Sequence, residues 1–156
     1  MLLTSQEKTL LKKATKYHDV FLVAVVRMRA YAEDAGAAGL GMVCGPISTG
    51  GLRSITANLE RFALAISTLQ SSGWHIFSQM PYETALHHVR DSTVGPGVYD
   101  MKLLEEFYLP LFESGFVKRK FFIPGWQSST GTQWERAHAV RLSIDTIDLG
   151  ENLLPL

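Results

Sequence analysis

The stretch Phe121-Phe-Ile-Pro-Gly-Trp-Gln-Ser-Ser-Thr-Gly-Thr-Gln-Trp-Glu-Arg-Ala-His-Ala139 constrains the fold more than any other part of the chain. An apolar run stops at Pro124-Gly125 and a short polar loop follows. Thr130, with Gln133 three residues on, then has the pattern of a helix N-cap. The order is strand, loop, helix start. In an open α/β sheet that junction lies at the carboxyl edge, where ligands bind. The first N–H groups of a helix are unpaired and partly positive, which suits an anion. Ser128 and Ser129 add hydroxyls there. Gly131 precedes Glu135 by four residues on the same helix face, so no side chain at 131 covers the carboxylate. An anion seat beside an uncovered carboxylate is expected.

The rest of the chain alternates in the same way. Residues 1–35 read as helix, opened by a Thr4–Glu7 capping box and carrying Leu10, Leu11, Ala14, Tyr17, Phe21, Ala24, Val25 and Met28 at helical spacing. Gly36, Gly39 and Gly41 end it. Gly41–Pro46 reads as a buried strand, Ile47–Gly51 as a glycine-rich turn, and Ile55 to Leu69 as a helix. Trp74–Ser78 is expected as a second strand, with Gln79–Glu83 overhanging its carboxyl end. Residues 84–98 are expected as an irregular connection. Tyr99–Glu113 is expected as a helix kinked or split at Pro110, Phe116–Ile123 as a strand with Lys118-Arg-Lys120 at an exposed end, and Ser143–Leu149 as a last strand. The expected fold is α/β: a Rossmann-like (flavodoxin-like) parallel sheet of four to five strands with helices on both faces. An N-terminal helical extension, residues 1–38, precedes an α/β domain, residues 39–156.

Composition excludes several classes. Lys+Arg and Asp+Glu number 15 each in 156 residues, without the basic excess of a general nucleic-acid or membrane-surface binder. A single cysteine rules out an internal disulfide, and Cys44, inside an apolar run, is expected to be buried packing. The start lacks the pattern of a secretion signal and the longest apolar run, Phe21–Val26, is too short to span a bilayer, so a cytoplasmic protein is expected. His87 and His88 are adjacent and share no face, and no carboxylate completes a ligand spacing, so neither a metal nor a cofactor is expected.

Three segments converge on the carboxyl edge if the sheet is wound in the usual hand: Gly45–Gly51, Gln79–Glu83 and Gln127–Glu135. In the first, Gly50 and Gly51 let the backbone approach a ligand closely, with Ser48 and Thr49 as hydroxyls, or they serve the geometry of a tight turn. From Ser129 to Glu135 the axial rise is roughly 9 Å, a reach from a 5′-phosphate to the anomeric carbon of a pentose. A carboxylate so placed suits attack on, or stabilisation of, an oxocarbenium-like centre during cleavage of an N-glycosidic bond. Glu135 is equally readable as an exposed helix residue and Ser129 as only a cap.

Val43-Cys-Gly-Pro-Ile-Ser-Thr-Gly-Gly51 together with Ser129-Thr-Gly-Thr-Gln-Trp-Glu135 resembles the nucleoside 2-deoxyribosyltransferase-like superfamily. That superfamily includes deoxynucleoside 5′-monophosphate N-glycosidases, and the Pro124–Glu135 form is most similar to its uncharacterised bacterial and phage branch. The resemblance covers roughly residues 40–150. It implies Glu135 as nucleophile, Ser129 as a 5′-phosphate contact, and Gly45, Ile47, Ser48, Gly50 and Gly51 as the loop around sugar and phosphate, with Gly131 beside them. An aspartate that the family uses in proton transfer is absent at the matching position, near Tyr108 and Pro110; Asp100 is the expected substitute, with Glu105 and Glu106 as alternatives. Tyr82 and Trp126 are expected either to stack on the base or to pack. The implied activity is hydrolysis of a nucleoside 5′-monophosphate to free base and (deoxy)ribose 5-phosphate. Base exchange between deoxyribosides, or nucleotide binding without turnover, are the alternatives. A homodimer is implied, with neither polymeric nucleic acid nor a membrane as partner.

Overall fold

A computed structural model describes residues 2–156. Contacts divide the chain into two compact units: residues 1–30 with 79–115, and residues 31–78 with 116–156.

The first unit is helical. Helix α1, Ser5–Lys13, is closed at its start by the expected Thr4–Glu7 capping box. The single helix expected over residues 1–35 is interrupted, because the Asp19 carboxylate accepts from the backbone N–H groups of Thr15 and Lys16, each at 3.0 Å. Capturing those donors opens a new helix, α2, at Tyr17–Ala35. Its Tyr31–Ala35 end belongs to the second unit. Arg27 of α2 pairs with Glu7 of α1 and fixes the two helices together. Residues 84–98, expected as irregular, hold helix α4, Glu83–Thr93, with Ala85, Leu86 and Val89 buried. Those three recur at helical spacing, a face that His87-His88 and Gly95-Pro-Gly97 obscure in the sequence.

The helix that holds Pro110 changes type along its length. The chain runs from α5, Met101–Leu103, through one wide turn, Leu104–Tyr108, into α6, Leu109–Glu113. In the wide turn the Leu109 N–H reaches back five residues to the Leu104 carbonyl. Proline has no N–H to give and its ring crowds the preceding turn, so a locally widened helix accommodates it.

The second unit carries the sheet. Strands β1, Leu40–Cys44, β2, Val117–Phe122, and β3, Asp145–Asp148, are parallel and lie in the order β1-β2-β3. The sheet therefore has three strands, not four to five. The expected strand Trp74–Ser78 is reduced to one parallel bridge, Gly41 with Ile76, held by Gly41 N–H to the His75 carbonyl and Phe77 N–H to the Gly41 carbonyl. Helix α3, Ile55–Ser71, follows β1, and α7, Thr130–Arg141, joins β2 to β3.

Register decides which side chains share a face. Lys120 is opposite Met42 and Thr146, and Phe122 is opposite Cys44 and Asp148, so these six point to one side of the sheet. Val43, Phe121 and Ile147 point to the other. Cys44 is fully buried, as its apolar surroundings predict. No helix among the described residues is long and apolar enough to cross a membrane.

Candidate functional site

Helix α7 begins one residue earlier than the capping pattern predicts. Ser129, not Thr130, is the N-cap; its Oγ accepts from the Thr132 N–H at 3.3 Å, and its carbonyl accepts from the Gln133 N–H. The Gln133 side chain reaches the Gln127 carbonyl instead of closing a box with the cap. Ser129 is 4 % exposed, so the hydroxyl expected to meet an anion already serves the helix start.

The buried positions of α7 are Thr132, Glu135 and Ala139, one stripe at helical spacing. Glu135 is consequently not the uncovered carboxylate expected from Gly131. It is 8 % exposed and turned to the sheet, where its Oε2 lies 3.1 Å from Lys120 Nζ. Lys120 has no exposed surface, although the Lys118-Arg-Lys120 run is expected at an exposed strand end. Lys118 is exposed and Arg119 half-buried, so only one of the three is drawn inside. Lys120 is the residue that sequence reading misses. Its one available signal is parity, since it stands two residues before Phe122 on the same strand face.

Cys44 of β1 adjoins this pair. Burial pushes its thiol well above the ordinary cysteine range, the Glu135 carboxylate pushes the same way, and Lys120 opposes them. One turn before Glu135, the Thr132 hydroxyl is buried without a hydrogen-bond partner among the described residues. A buried carboxylate–ammonium pair, a neutral thiol and an unpaired hydroxyl thus occupy the α7 side of the sheet.

The glycine loop meets the start of α7, but through its own backbone. Gly51 N–H donates to Ser128 Oγ at 2.8 Å, and that hydroxyl donates to the Gly125 carbonyl at 2.7 Å. Gly50 has φ +67°, and a Cβ there would lie 2.3 Å from the Ser128 carbonyl oxygen. Gly51 has φ +62°, with Asn58 Oδ1 and Pro46 in the way of a side chain. Both glycines therefore permit chain-to-chain approach. Gly45 does the same against Ile123. Asn58, buried on α3, organises the loop: its Oδ1 accepts from Leu52 N–H at 2.9 Å, and its Nδ2 donates to the carbonyls of Ile47 at 3.0 Å and Gly50 at 3.2 Å. Sequence reading misses Asn58 too; a helix-borne asparagine one turn past Ser54 carries no mark of that task. Ile47 is half-buried and Ser48 exposed.

Trp126 is engaged by protein. The Arg136 guanidinium lies 4.7 Å from its ring and 4.6 Å from that of Phe122, and Arg136 Nη1 is 2.5 Å from Asp148 Oδ1. Of the remaining expected site residues, Asp100 and Tyr82 belong to the first unit. The Asp100 carboxylate accepts from Tyr17 Oη at 2.8 Å and from Lys102 N–H at 3.1 Å. Burial, and then donation to Asp100, pushes the Tyr17 phenol well above its ordinary range. Tyr82 is wholly buried, its ring 6.2 Å from that of Phe107, and is a packing residue. No group of three or more His, Cys, Asp or Glu side chains among the described residues is arranged to hold a metal ion.

No family model, no curated protein and no solved structure matches the chain.

Proposed function

We propose that the second unit hydrolyses the N-glycosidic bond of a nucleoside 5′-monophosphate, releasing free base and (deoxy)ribose 5-phosphate, with Glu135 as the attacking carboxylate. The observation that carries the reading is the Glu135 side chain itself, with a relative exposure of 10 % and its charge balanced by a wholly buried ammonium. A carboxylate that meets a developing oxocarbenium ion acts most strongly where water is scarce. Burying an unpaired carboxylate is costly, and the ammonium offsets that cost.

Two further observations support it. The loop from Gly45 to Gly51 touches the start of α7 through Gly51 and Ser128, so both segments that the resemblance assigns to sugar and phosphate meet. The Thr130 and Gly131 N–H groups open α7 and have no carbonyl four residues back within the helix, the disposition that suits a phosphate. A paired assembly belongs to the same reading, and a monomer mass in solution light scattering would remove it.

A second reading, nucleotide binding without turnover, is favoured by the commitment of Glu135 to Lys120. One experiment separates the two. The protein is incubated with a panel of nucleoside 5′-monophosphates, and released base and bound nucleotide are both measured, for wild type and Glu135→Gln. Hydrolysis requires base release from at least one nucleotide and a loss of about 10³-fold or more in Glu135→Gln, the scale on which removal of one catalytic group is felt. Binding with no released base would leave the second reading standing and end the first.

A further inference from the structure

Lys120 is the most anomalous side chain of the second unit. It stands on the middle strand with neighbours on both sides, Met42 on β1 and Thr146 on β3, and has no exposed surface. Burying an ammonium costs several kcal/mol unless it is paired and hydrogen-bonded. A methionine or leucine of similar volume would fill the space at no such cost. The charge is thus retained against the energetics of packing, and one partner of it is the carboxylate on which the proposed reaction turns.

Resting on that reading, we infer that Lys120 is a positioning residue for the second half of the reaction, holding Glu135 Oε2 so that the carboxylate is the favoured leaving group from the sugar. In the first half Glu135 Oε1 bonds to C1′, the C1′–N bond breaks, and its electron pair leaves with the base, which takes up one proton from solvent. In the second half water bonds to C1′, the Oε1–C1′ bond breaks, its electron pair returns to the carboxylate, and the proton from water passes to solvent. The net change is water added across the glycosidic bond.

The ammonium acts differently on the two halves. The carboxylate is the reactant of the first and the product of the second. A cation 3.1 Å from Oε2 stabilises the carboxylate, and so restrains the attack while favouring the release. Lys120 lies on the same side of C1′ as the nucleophile. Protonation of the leaving base takes place on the opposite side, so Lys120 is not the acid.

The test is acid quenching during turnover, followed by intact-mass spectrometry, on wild type, Lys120→Gln and Lys120→Arg with a nucleoside 5′-monophosphate that wild type cleaves. Lys120→Gln removes the charge but keeps a hydrogen-bond donor. It is expected to accumulate an adduct of one (deoxy)ribose 5-phosphate less water on Glu135, with kcat lowered about tenfold or more and a smaller change in the first burst of released base. Lys120→Arg keeps the charge and is expected to turn over without accumulating the adduct. A folded Lys120→Gln that shows no adduct, or a folded Lys120→Arg that shows one, overturns the assignment; should Lys120→Gln fail to fold, the Lys120→Arg arm still decides. Failure of the underlying reaction is read from wild type alone, which would then release no base from any nucleotide.

Discussion

Lys120 Nζ and Glu135 Oε2 lie 3.1 Å apart and, 15 residues apart in sequence, join the middle strand of the sheet to the second turn of α7. Each carries a charge that the interior would exclude without the other. The pair therefore has a stability signature independent of any activity. Lys120→Met, which leaves a buried carboxylate uncompensated, is expected to cost about 3–5 kcal/mol. The double change Lys120→Met/Glu135→Leu is expected to recover most of that loss, because two apolar side chains need no mutual pairing. Chemical denaturation of the three chains measures both; equal destabilisation in the single and double variants would contradict the pairing.

The loop between β1 and α3 is held by one side chain. Asn58→Ala removes three hydrogen bonds and leaves the Leu52 N–H and the Ile47 carbonyl without that partner, while the Gly50 carbonyl keeps the Arg53 N–H. A loss of about 1–3 kcal/mol is expected. Amide exchange resolved by residue should show faster exchange at Leu52 while the strands keep their protection.

Gly50 and Gly36 separate backbone strain from close approach. Both have positive φ, +67° and +57°, but a Cβ at Gly50 would meet the Ser128 carbonyl at 2.3 Å, whereas at Gly36 nothing lies within 4 Å. Alanine at Gly36 is expected to cost about 1–2 kcal/mol, the conformational penalty alone. Alanine at Gly50 is expected to cost more, because the backbone of the Ser128 turn must also move. Melting temperatures of the two variants give the comparison.

Acid stability should report the junction of α1 and α2. The Arg27 guanidinium, aided by the Thr4 N–H and hydroxyl, holds the Glu7 carboxyl down at about 2, against its ordinary 4.5. Hydrogen bonds from Thr15 and Lys16 lower Asp19 as well. A carboxyl with a folded-state value below its unfolded one binds fewer protons when folded. Its stabilisation is complete above the unfolded value and is lost as pH falls towards the folded one. The stability difference between wild type and Glu7→Gln should be constant from neutral pH down to about 5, narrow below about 4.5, and close near 2. A difference that widened on acidification would have the wrong sign.

Cys44 offers a probe of opening in the second unit. With the thiol buried and its ionisation disfavoured, a thiol reagent at mildly alkaline pH should label the folded chain at least about 10³-fold more slowly than the unfolded chain. Lys120→Met should shorten that protection. Rapid labelling of the native wild type would show that β1 is open to solvent.

Much of the architecture is legible in the residues themselves. The strand, loop and helix start between Phe121 and Ala139 are written in a local grammar: an apolar run, a Pro-Gly stop, hydroxyls at a helix start. The same holds for the Thr4–Glu7 box and the glycine-rich turn at 47–51. These signals work because turn and cap chemistry involve residues within three or four positions of one another. Where two local signals competed, sequence reading went astray, as at Asp19, which starts a new helix inside an unbroken apolar stripe, and at Glu83–Thr93, where paired histidines mask a helical face.

The chain alone determined that a glycine turn and a hydroxyl-rich helix start follow strands of one α/β framework, with a carboxylate further along that helix. Only the tertiary structure decided that the carboxylate faces the sheet and that, of three consecutive cations, Lys120 alone is enclosed to meet it. Burial of a charge depends on which strands lie on either side and which helix covers them. Those neighbours are β1, β3 and α7, and none is specified by the residues adjoining Lys120 in sequence.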